Sequence, residues 1–509
     1  MKVFLMHEDA DFDMEKPLPP QEPALTQDLD VMPVMDAMAD GDPFLLDVAK
    51  HAMMGSLTNL EAIHYRQEVL RDGLNHSSTL QNLYDVALES LEIRRKHHFG
   101  IFANHPGTLL SESRELLRYL VDALKKIRTV ADEQAPSFES RGFQRFFVRI
   151  HEELTDDYFA VIQTVLKDLE FPNGVLLGAE LGAGNKGVHL TLCKSPGPPP
   201  TSWVTRMFGN RPTVYGFHVA ERDEAGARAL SDLIDRGINT VANALAQSDD
   251  HILAFFAQLR VELAFYIGCI HLHEALTSLQ EPICFPIPIP VSQRTLSADE
   301  LYDAGLALRS KQHVVGNDLR ADDKDLLLVT GANQGGKTTF LRSVGLAQLM
   351  MQSGMFVPAR AYTANVCTGV FTHFRREEDR AMSYGKFEEE LERMSDIVHV
   401  LSPGALLLCN ESFAATNERE GAEIATQITL ALVERRIKVV FVTHLYAYAE
   451  GFYHRTMSNA LFLRAERRHG GERTFRIVEG EPLQTSYAQD LYDKFFSSAT
   501  FSEHLSPST

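Results

Sequence analysis

The feature that most constrains this chain is a glycine-rich segment, GANQGGKT, at residues 331–338. It follows a short apolar run, LLLVT, and precedes residues with the apolar spacing of a helix. The pattern G-x(4)-G-K-[ST] between a strand and a helix is typical of a phosphate-binding loop (P-loop). Glycine permits the tight turn, and the helix N-terminus favours negative charge. The segment therefore predicts an α/β domain with a phosphate site at the carboxyl edge of its sheet.

The P-loop predicts a set of nucleotide-binding residues. Lys337 supplies positive charge to the β- and γ-phosphates, and the Thr338 hydroxyl is a predicted Mg²⁺ ligand. The predicted binding set is Gly331, Ala332, Asn333, Gln334, Gly335, Gly336, Lys337, Thr338 and Thr339. A chance glycine-rich turn is the alternative interpretation, and the strand–loop–helix context argues against it.

Two further apolar runs end in polar residues with catalytic potential. Residues 405–409 lead into Asn410 and Glu411, where P-loop ATPases usually carry Asp-Glu. Glu411 is the predicted residue that orients the attacking water. Asn410 is a predicted metal-side residue whose amide lacks the charge of a carboxylate. His444 follows residues 439–443, and we expect it to face the same crevice as a catalytic residue, with a purely structural histidine as the alternative.

Periodicity divides the chain into segments. Residues 46–280 are predominantly helical in pattern, as in the apolar repeat of Leu116, Leu120, Leu124 and Ile127, with a small β insertion at about residues 171–220. Residues 295–490 alternate short apolar strands with helices, which predicts an α/β domain with a mainly parallel sheet. The prolines of CFPIPIPVSQ exclude a helix, so residues 281–294 predict a stiff linker.

The two ends carry weaker patterns. We expect an N-terminal strand and loop over residues 1–45, and a flexible tail over residues 491–509, which are rich in serine and threonine. The predicted fold class is therefore multidomain, with a long-helix body and β insertion followed by a P-loop domain.

Composition restricts the classes of function. The 49 basic and 69 acidic side chains give a net charge of −20, which argues against a protein that only coats nucleic acid. The N-terminus lacks the pattern of a signal peptide, and we expect no membrane span. The five cysteines have no metal-ligand spacing and predict reduced thiols in a cytoplasmic protein.

Several segments, in order, resemble the MutS family of mismatch-repair ATPases. TGANQGGKTTFLRSVGLAQLMMQSGMFVPA is similar to that family's TGPN-x-GGKST, aliphatic helix and G-x-FVPA. Further similar segments are VVGND at 314–318, FT at 371–372, FEEEL at 387–391, NE at 410–411, TN at 416–417, TH at 443–444 and SYA at 486–488. The resemblance covers residues 300–490, and the helical body resembles the family's core and lever in architecture.

The resemblance implies an ABC-type ATPase that uses ATP and Mg²⁺ and acts on double-stranded DNA as a homodimer. It implies a base-binding segment at Asn317, with His313 as a substitute for the family's stacking aromatic. It also implies that the partner's signature helix completes each nucleotide site. The signature serine corresponds to Gly385 here, with Ser383 two residues earlier.

The chain also departs from the family pattern. We expect no mismatch-reading domain with its Phe-x-Glu wedge before the helical body, and no Smr nuclease domain after residue 490. Residues 171–220 are too few for a full clamp. The expected protein is a short MutS-related chain with core/lever and ATPase modules.

Candidate DNA contacts are few. Arg141, Arg145 and Arg149 recur at a spacing of four and predict a phosphate-binding stripe, or else ion pairs with nearby acids. Residues 182–187 match G-x-G-x-x-G but precede a strand-like segment. A β-turn with Lys186 near DNA is therefore favoured over a dinucleotide site.

Three functions remain open from the sequence. The first is a MutS-type DNA-binding protein whose ATP hydrolysis is coupled to conformational change, in mismatch repair or in a related repair or recombination role. The second is a nucleotide-binding scaffold with weak or no ATPase activity, suggested by Asn410 and Gly385. The third is an ABC/SMC-like ATPase that acts on a protein or RNA partner.

Overall fold

The computed structural model describes residues 1–96, 105–172, 174–194, 216–332, 334–376, 385–467 and 473–482. Contacts divide the chain into two compact units. The first unit comprises Met1–Leu5 and Ser78–Leu263, and the second comprises Met6–Ser77 and Ala264–Thr509. The predicted flexible tail, residues 491–509, lies outside the described residues.

The fold is mixed α/β, as predicted. The described α-helices are α1 (Glu22–Asp28), α2 (Met32–Ala39), α3 (Pro43–Met54), α4 (Leu60–Asn75), α5 (Ser77–Lys96), α6 (Pro106–Gln134), α7 (Arg141–Glu153), α8 (Asp156–Asp168), α9 (Glu224–Ser278), α10 (Ala304–Ser310), α11 (Lys337–Gln352), α12 (Lys386–Val400), α13 (Glu418–Glu434) and α14 (Tyr446–His454). The strands are β1 (Leu177–Leu181), β2 (Gly187–Leu192), β3 (Ile287–Ile289), β4 (Leu296–Leu301), β5 (Asn317–Arg320), β6 (Leu326–Thr330), β7 (Ala361–Asn365), β8 (Val370–Phe374), β9 (Leu406–Asn410), β10 (Lys438–Val442), β11 (Ala460–Arg467) and β12 (Arg473–Glu479).

Long helices dominate the first unit. The predicted apolar stripe of α6, including Leu116, Leu120 and Leu124, is buried. Helix α7 begins at a cap in which the Ser140 hydroxyl accepts a hydrogen bond from the Phe143 N–H at 3.3 Å. The apolar side chains that repeat with helical spacing in this part of the sequence are therefore the ones that α6 buries.

The predicted β insertion is a hairpin of β1 and β2, paired antiparallel. It approaches α9 at Gly237, where an added Cβ would lie 2.3 Å from a Leu177 methyl carbon. Glycine at this position allows the close approach. Residues 195–215 of the predicted insertion lie outside the described part of the chain.

Helix α9 is 55 residues long, and both units contain part of it. By length and composition its most apolar 18-residue stretch is sufficient to cross a membrane. However, 72% of that stretch is buried inside the protein. Such burial is typical of a helix in the core of a protein.

The second unit contains two sheets. The larger has strand order β12-β11-β6-β10-β9-β8, with β12 antiparallel to β11 and the other strands parallel. The smaller is mixed, with strand order β3-β7-β4-β5. Because parallel strands end at the same edge, β6, β9 and β10 bring three predicted site segments together.

The predicted linker at residues 281–294 is wrong. Strand β3 pairs in parallel with β7, and Cys284 forms a bridge with Val357. The prolines do exclude a helix, but β3 is an edge strand, where a missing N–H leaves no partner unsatisfied.

The expectation of a strand and loop over residues 1–45 is also wrong. Helices α1, α2 and the start of α3 lie there, each with a proline in its first turn. Proline is tolerated at that position because the first-turn N–H groups have no intrahelical partner.

The predicted domain boundary at residue 46 differs from the observed division. Residues 6–77 belong to the same compact unit as residues 331–338, the predicted phosphate-binding loop. The Gln352 amide of α11 donates to the carbonyl oxygens of Leu57 and Cys367, both at 2.9 Å. Buried Arg66 donates to the Met6 carbonyl at 2.9 Å. These long-range hydrogen bonds have no signature in local periodicity.

Candidate nucleotide site

The phosphate-loop segment lies between buried strand β6 and helix α11, as predicted. Gly331 and Gly336 have φ of 118° and 90°, in the left-handed region that favours glycine. An added Cβ at Gly336 would lie 3.2 Å from the Phe475 carbonyl oxygen, and one at Gly331 would lie 3.0 Å from Ala465. The β11–β12 hairpin therefore packs closely against this loop. Predicted residue Asn333 lies outside the described residues.

Lys337 is the first residue of α11 and is 5% exposed. Its ammonium group donates to the carbonyl oxygens of Gly331 and Ala332, both at 2.9 Å. Burial lowers the pKa of Lys337 to about 8, and the negative charge of Glu411 opposes that shift. A phosphate at this position would compete with two neutral carbonyl groups for a desolvated cation.

Thr338 and Asn410 meet across the ends of α11 and β9. The Thr338 hydroxyl donates to the Asn410 side-chain oxygen at 3.1 Å. Both are hard oxygen donors of the kind that Mg²⁺ accepts. Among the residues that the structure describes, no group of three or more His, Cys, Asp or Glu is placed to hold a metal. A Mg²⁺ ion here would take its remaining ligands from phosphates and water, which is its usual coordination at nucleotide sites.

Glu411 follows β9 with a φ of 55°. Its backbone N–H donates to the Val442 carbonyl of β10 at 2.8 Å. One carboxylate oxygen lies 2.9 Å from His444 Nε2, and the other lies 3.9 Å from Arg375. The hydrogen bond from His444 is the largest of several effects that hold the pKa of Glu411 below its usual range.

The structure brings Glu411 and His444 into direct contact. His444 is 33 residues after Glu411 in the chain, but β9 and β10 are neighbours. The contact can orient the carboxylate that is predicted to position water. A neutral His444 donates one N–H to it, and a protonated one adds a charge.

The sequence analysis missed a second histidine. His373 on β8 is buried between the turn after β9 and helix α12, with its ring nitrogens 2.7 Å from the Ser412 hydroxyl and 3.0 Å from the Glu390 carbonyl oxygen. Burial lowers its pKa to about 4. A neutral His373 therefore links the residue after Glu411 to the predicted signature helix. No motif marked it, because this role depends on three separate segments.

The predicted base-binding residues occupy two different environments. His313 lies 3.2 Å from the carboxylate of buried Glu281, and its side chain is largely exposed. Asn317 is buried, and its side-chain oxygen accepts a hydrogen bond from the Ile477 N–H at 2.6 Å. This bond connects β5 to β12, so the structure gives Asn317 a role in holding the hairpin.

The predicted signature segment is described in part. Gly385 is the N-cap residue of α12, and no described atom lies within 4 Å of a Cβ placed there. Ser383 lies outside the described residues. The position that corresponds to the signature serine is thus the N-cap of α12.

The candidate DNA contacts all lie in the first unit. The Arg149 guanidinium packs over the Phe4 ring at 4.7 Å and donates to the Lys2 carbonyl at 2.9 Å. Its charge is therefore engaged inside the unit. Arg141 and Arg145 lie on the same helix, α7, and Lys186 lies in the β1–β2 turn.

Family models match both the helical part and the α/β part of the chain. Residues 58–279 match the family model described as the MutS2 N-terminal domain, and residues 327–491 match the one described as MutS domain V. The "DNA mismatch repair protein MutS" of Thermotoga sp. is 36% identical over 137 residues, which are 27% of this chain and 17% of that protein.

Two other relatives match over longer segments. The "Endonuclease MutS2" of Lacticaseibacillus casei is 34% identical over 206 residues, which are 38% of this chain and 26% of that protein. The "DNA mismatch repair protein MutS" of Thermus thermophilus is 32% identical over 177 residues, which are 35% of this chain and 22% of that protein. The similarity thus covers about a quarter or less of each of these relatives.

Proposed function

Because the chain belongs to the MutS family, we propose that it is a DNA-repair ATPase that couples ATP binding and hydrolysis to a change in how it holds DNA. One observation carries the proposal. Lys337, Thr338, Asn410, Glu411 and His444 converge at one edge of a parallel sheet although more than 100 residues separate the first from the last.

Each residue has a defined part in the proposed reaction. The backbone of the phosphate loop and Lys337 would bind the β- and γ-phosphates, and Thr338 and Asn410 would hold Mg²⁺. Glu411 orients the attacking water, and His444 orients Glu411. Mg²⁺ supplies charge neutralisation between the phosphates when it is bound.

The active assembly in this proposal is a homodimer that closes on ATP, with α12 of each partner completing the other's site. Gly385 brings no side-chain hydroxyl to such a site, so a backbone N–H or Ser383 supplies the hydrogen bond. Double-stranded DNA is the proposed partner. We expect structure-biased binding with little preference for a simple mismatch. A cytoplasmic location stays a prediction from the cysteine pattern.

The test is phosphate release by the full chain with and without DNA. Lys337→Ala is expected to lose ATP binding, and Glu411→Gln is expected to retain ATP binding and lose turnover. Glu434→Gln, an exposed change at the end of α13, is the control and is expected to behave as wild type. Normal binding and turnover in Lys337→Ala would refute the ATPase proposal.

Filter binding with duplex, mismatched, branched and single-stranded DNA, and with RNA, tests the partner. DNA binding is expected to weaken with salt, with a log–log slope of roughly −0.9 per phosphate neutralised. A clear preference for RNA would favour an ABC/SMC-like ATPase. Light scattering of Glu411→Gln tests the dimer, and a monomer both with and without ATP would refute the shared site.

A second candidate function rests on Asn410. Its neutral amide contacts Thr338 where a carboxylate would strengthen metal binding. A nucleotide-binding scaffold with weak turnover is therefore the alternative. ATP binding without hydrolysis, together with no DNA binding in either nucleotide state, would favour it.

A further inference from the structure

Arg375 is a charged residue at the site that no motif identified. It directly follows β8, and its backbone N–H donates to the Asn410 carbonyl at 2.9 Å. Its guanidinium lies 3.9 Å from Glu411 Oε2, and 45% of the side chain is exposed. The backbone hydrogen bond therefore places Arg375 beside the end of β9, with its side chain partly exposed.

The charges around Glu411 are unbalanced. His444 Nε2 contacts one carboxylate oxygen, Arg375 lies near the other, and the two cations Arg375 and Lys337 both favour the charged form of Glu411. The neutral Asn410 amide adds no negative charge at this edge of the sheet, whereas a carboxylate in its place would add one. The carboxylate therefore faces more positive charge than it can neutralise, which favours a further anion at this edge of the sheet.

The position of Arg375 relates it to one part of a nucleotide. The phosphate loop follows β6, and the strand order β6-β10-β9-β8 puts Arg375 on the opposite side of Glu411 from that loop. A β-phosphate belongs at the loop, beside Lys337. A triphosphate bound at the loop would carry its terminal phosphate beyond the β-phosphate, and Glu411 and Arg375 are the charged residues at the neighbouring strand ends that could meet it and the attacking water.

We propose that Arg375 is a γ-phosphate-binding residue, which leaves Glu411 and binds the terminal phosphate when a nucleoside triphosphate occupies the loop. The inference rests on the proposed ATPase function. A guanidinium is suited to this exchange because its planar N–H groups pair with two phosphate oxygens. It would also free one Glu411 oxygen to accept a hydrogen bond from water.

The proposed hydrolysis transfers the γ-phosphoryl group to water. A bond forms between the water oxygen and the γ-phosphorus, and the bond from that phosphorus to the bridging oxygen of ADP breaks. The electron pair stays on ADP, and the water proton passes to the released phosphate. The guanidinium stabilises the charge on the γ-phosphate oxygens.

The experiment compares calorimetric titrations of a non-hydrolysable ATP analogue and of ADP, each with Mg²⁺, into the full chain. In Arg375→Ala we expect the affinity for the analogue to fall by about 10- to 100-fold, as for loss of a charged hydrogen bond, with ADP affinity changed by less than about twofold. Arg375→Lys retains the charge without the paired N–H groups, so its loss is expected to be intermediate.

Arg376→Ala is the matched control, because it removes the same charge one residue later. The charge of Arg376 acts on Asp28, Arg393 and His373, whereas the charges that act on Glu411 are those of His444, Lys337 and Arg375. We expect it to retain the preference for the analogue. Equal losses for both nucleotides in Arg375→Ala, no loss, or the same loss in Arg376→Ala would each overturn the inference.

The two proposals fail in different ways. If wild type binds neither nucleotide, the proposed function fails and this inference fails with it. If Lys337→Ala abolishes binding but Arg375→Ala keeps the preference for the triphosphate, the ATPase proposal is supported and the role of Arg375 is refuted.

Discussion

The buried ammonium of Lys337 predicts a pH dependence of nucleotide affinity. Its pKa in the nucleotide-free protein is about 8. Protonated Lys337 falls from roughly three quarters of molecules at about pH 7.5 to roughly a tenth at about pH 9. Phosphates favour the charged form and raise the pKa in the complex, so ATP binds the protonated protein. Affinity is therefore highest below pH 8 and falls as the pH rises through that value.

The size of the effect follows from the two protonated fractions. Their ratio predicts an affinity about eightfold weaker at about pH 9 than at about pH 7.5. Calorimetry in two buffers of different ionisation enthalpy provides a second measurement. At a pH equal to the pKa of the free group, about half a proton is taken up for each ATP bound.

Lys337→Arg separates this effect from other titrations. A guanidinium does not lose its proton in this pH range. The residual pH dependence of this variant therefore belongs to the nucleotide or to other groups. Flat affinity in wild type, together with no proton uptake at about pH 8, would refute the reasoning about Lys337. If Lys337→Arg fails to bind nucleotide, the proton count in wild type still decides the question.

Three further predictions concern Asn410, Gly385 and Gly354. Asn410→Asp places a negative charge at the proposed metal site, and charge-assisted contacts are roughly twice as strong as neutral ones. The Mg²⁺ concentration for half-maximal turnover is therefore expected to fall by about threefold or more. An unchanged Mg²⁺ titration would show that the phosphates and Thr338 suffice to bind the metal. Gly385 is a helix N-cap with no described atom within 4 Å of an added Cβ, so the melting temperature of Gly385→Ser is expected to be unchanged or slightly raised. If the nucleotide site is shared between partners, light scattering of this variant should show stronger ATP-dependent dimerisation. Gly354→Ala is expected to lower the unfolding free energy by about 2–4 kcal/mol in denaturant titrations, because φ is +78° and the new Cβ would lie 2.4 Å from Arg66 Cβ. The control is Gly41→Ala, where φ is +83° and no described atom lies within 4 Å of the new Cβ, and it should lower the unfolding free energy by only about 1 kcal/mol. Equal losses in the two variants would contradict the steric argument.

The sequence by itself determined the local chemistry of the site. Gly331 and Gly336 lie in one short loop, and Lys337 and Thr338 are the first two residues of the helix that follows it, so their spacing largely fixes their relative positions. Helical periodicity likewise predicted the buried stripe of α6. These features depend on residues that are near one another in the chain, and local geometry is enough to place them.

Tertiary structure decided which distant residues meet. Glu411 contacts His444 and faces Arg375 because β8, β9 and β10 are adjacent parallel strands that end at one edge. The pairing order of the strands is set by non-local packing, which periodicity does not report. The same reason explains why residues 6–77 belong to the unit that contains residues 331–338. Hydrogen bonds such as that from Gln352 to Leu57 connect residues 295 positions apart.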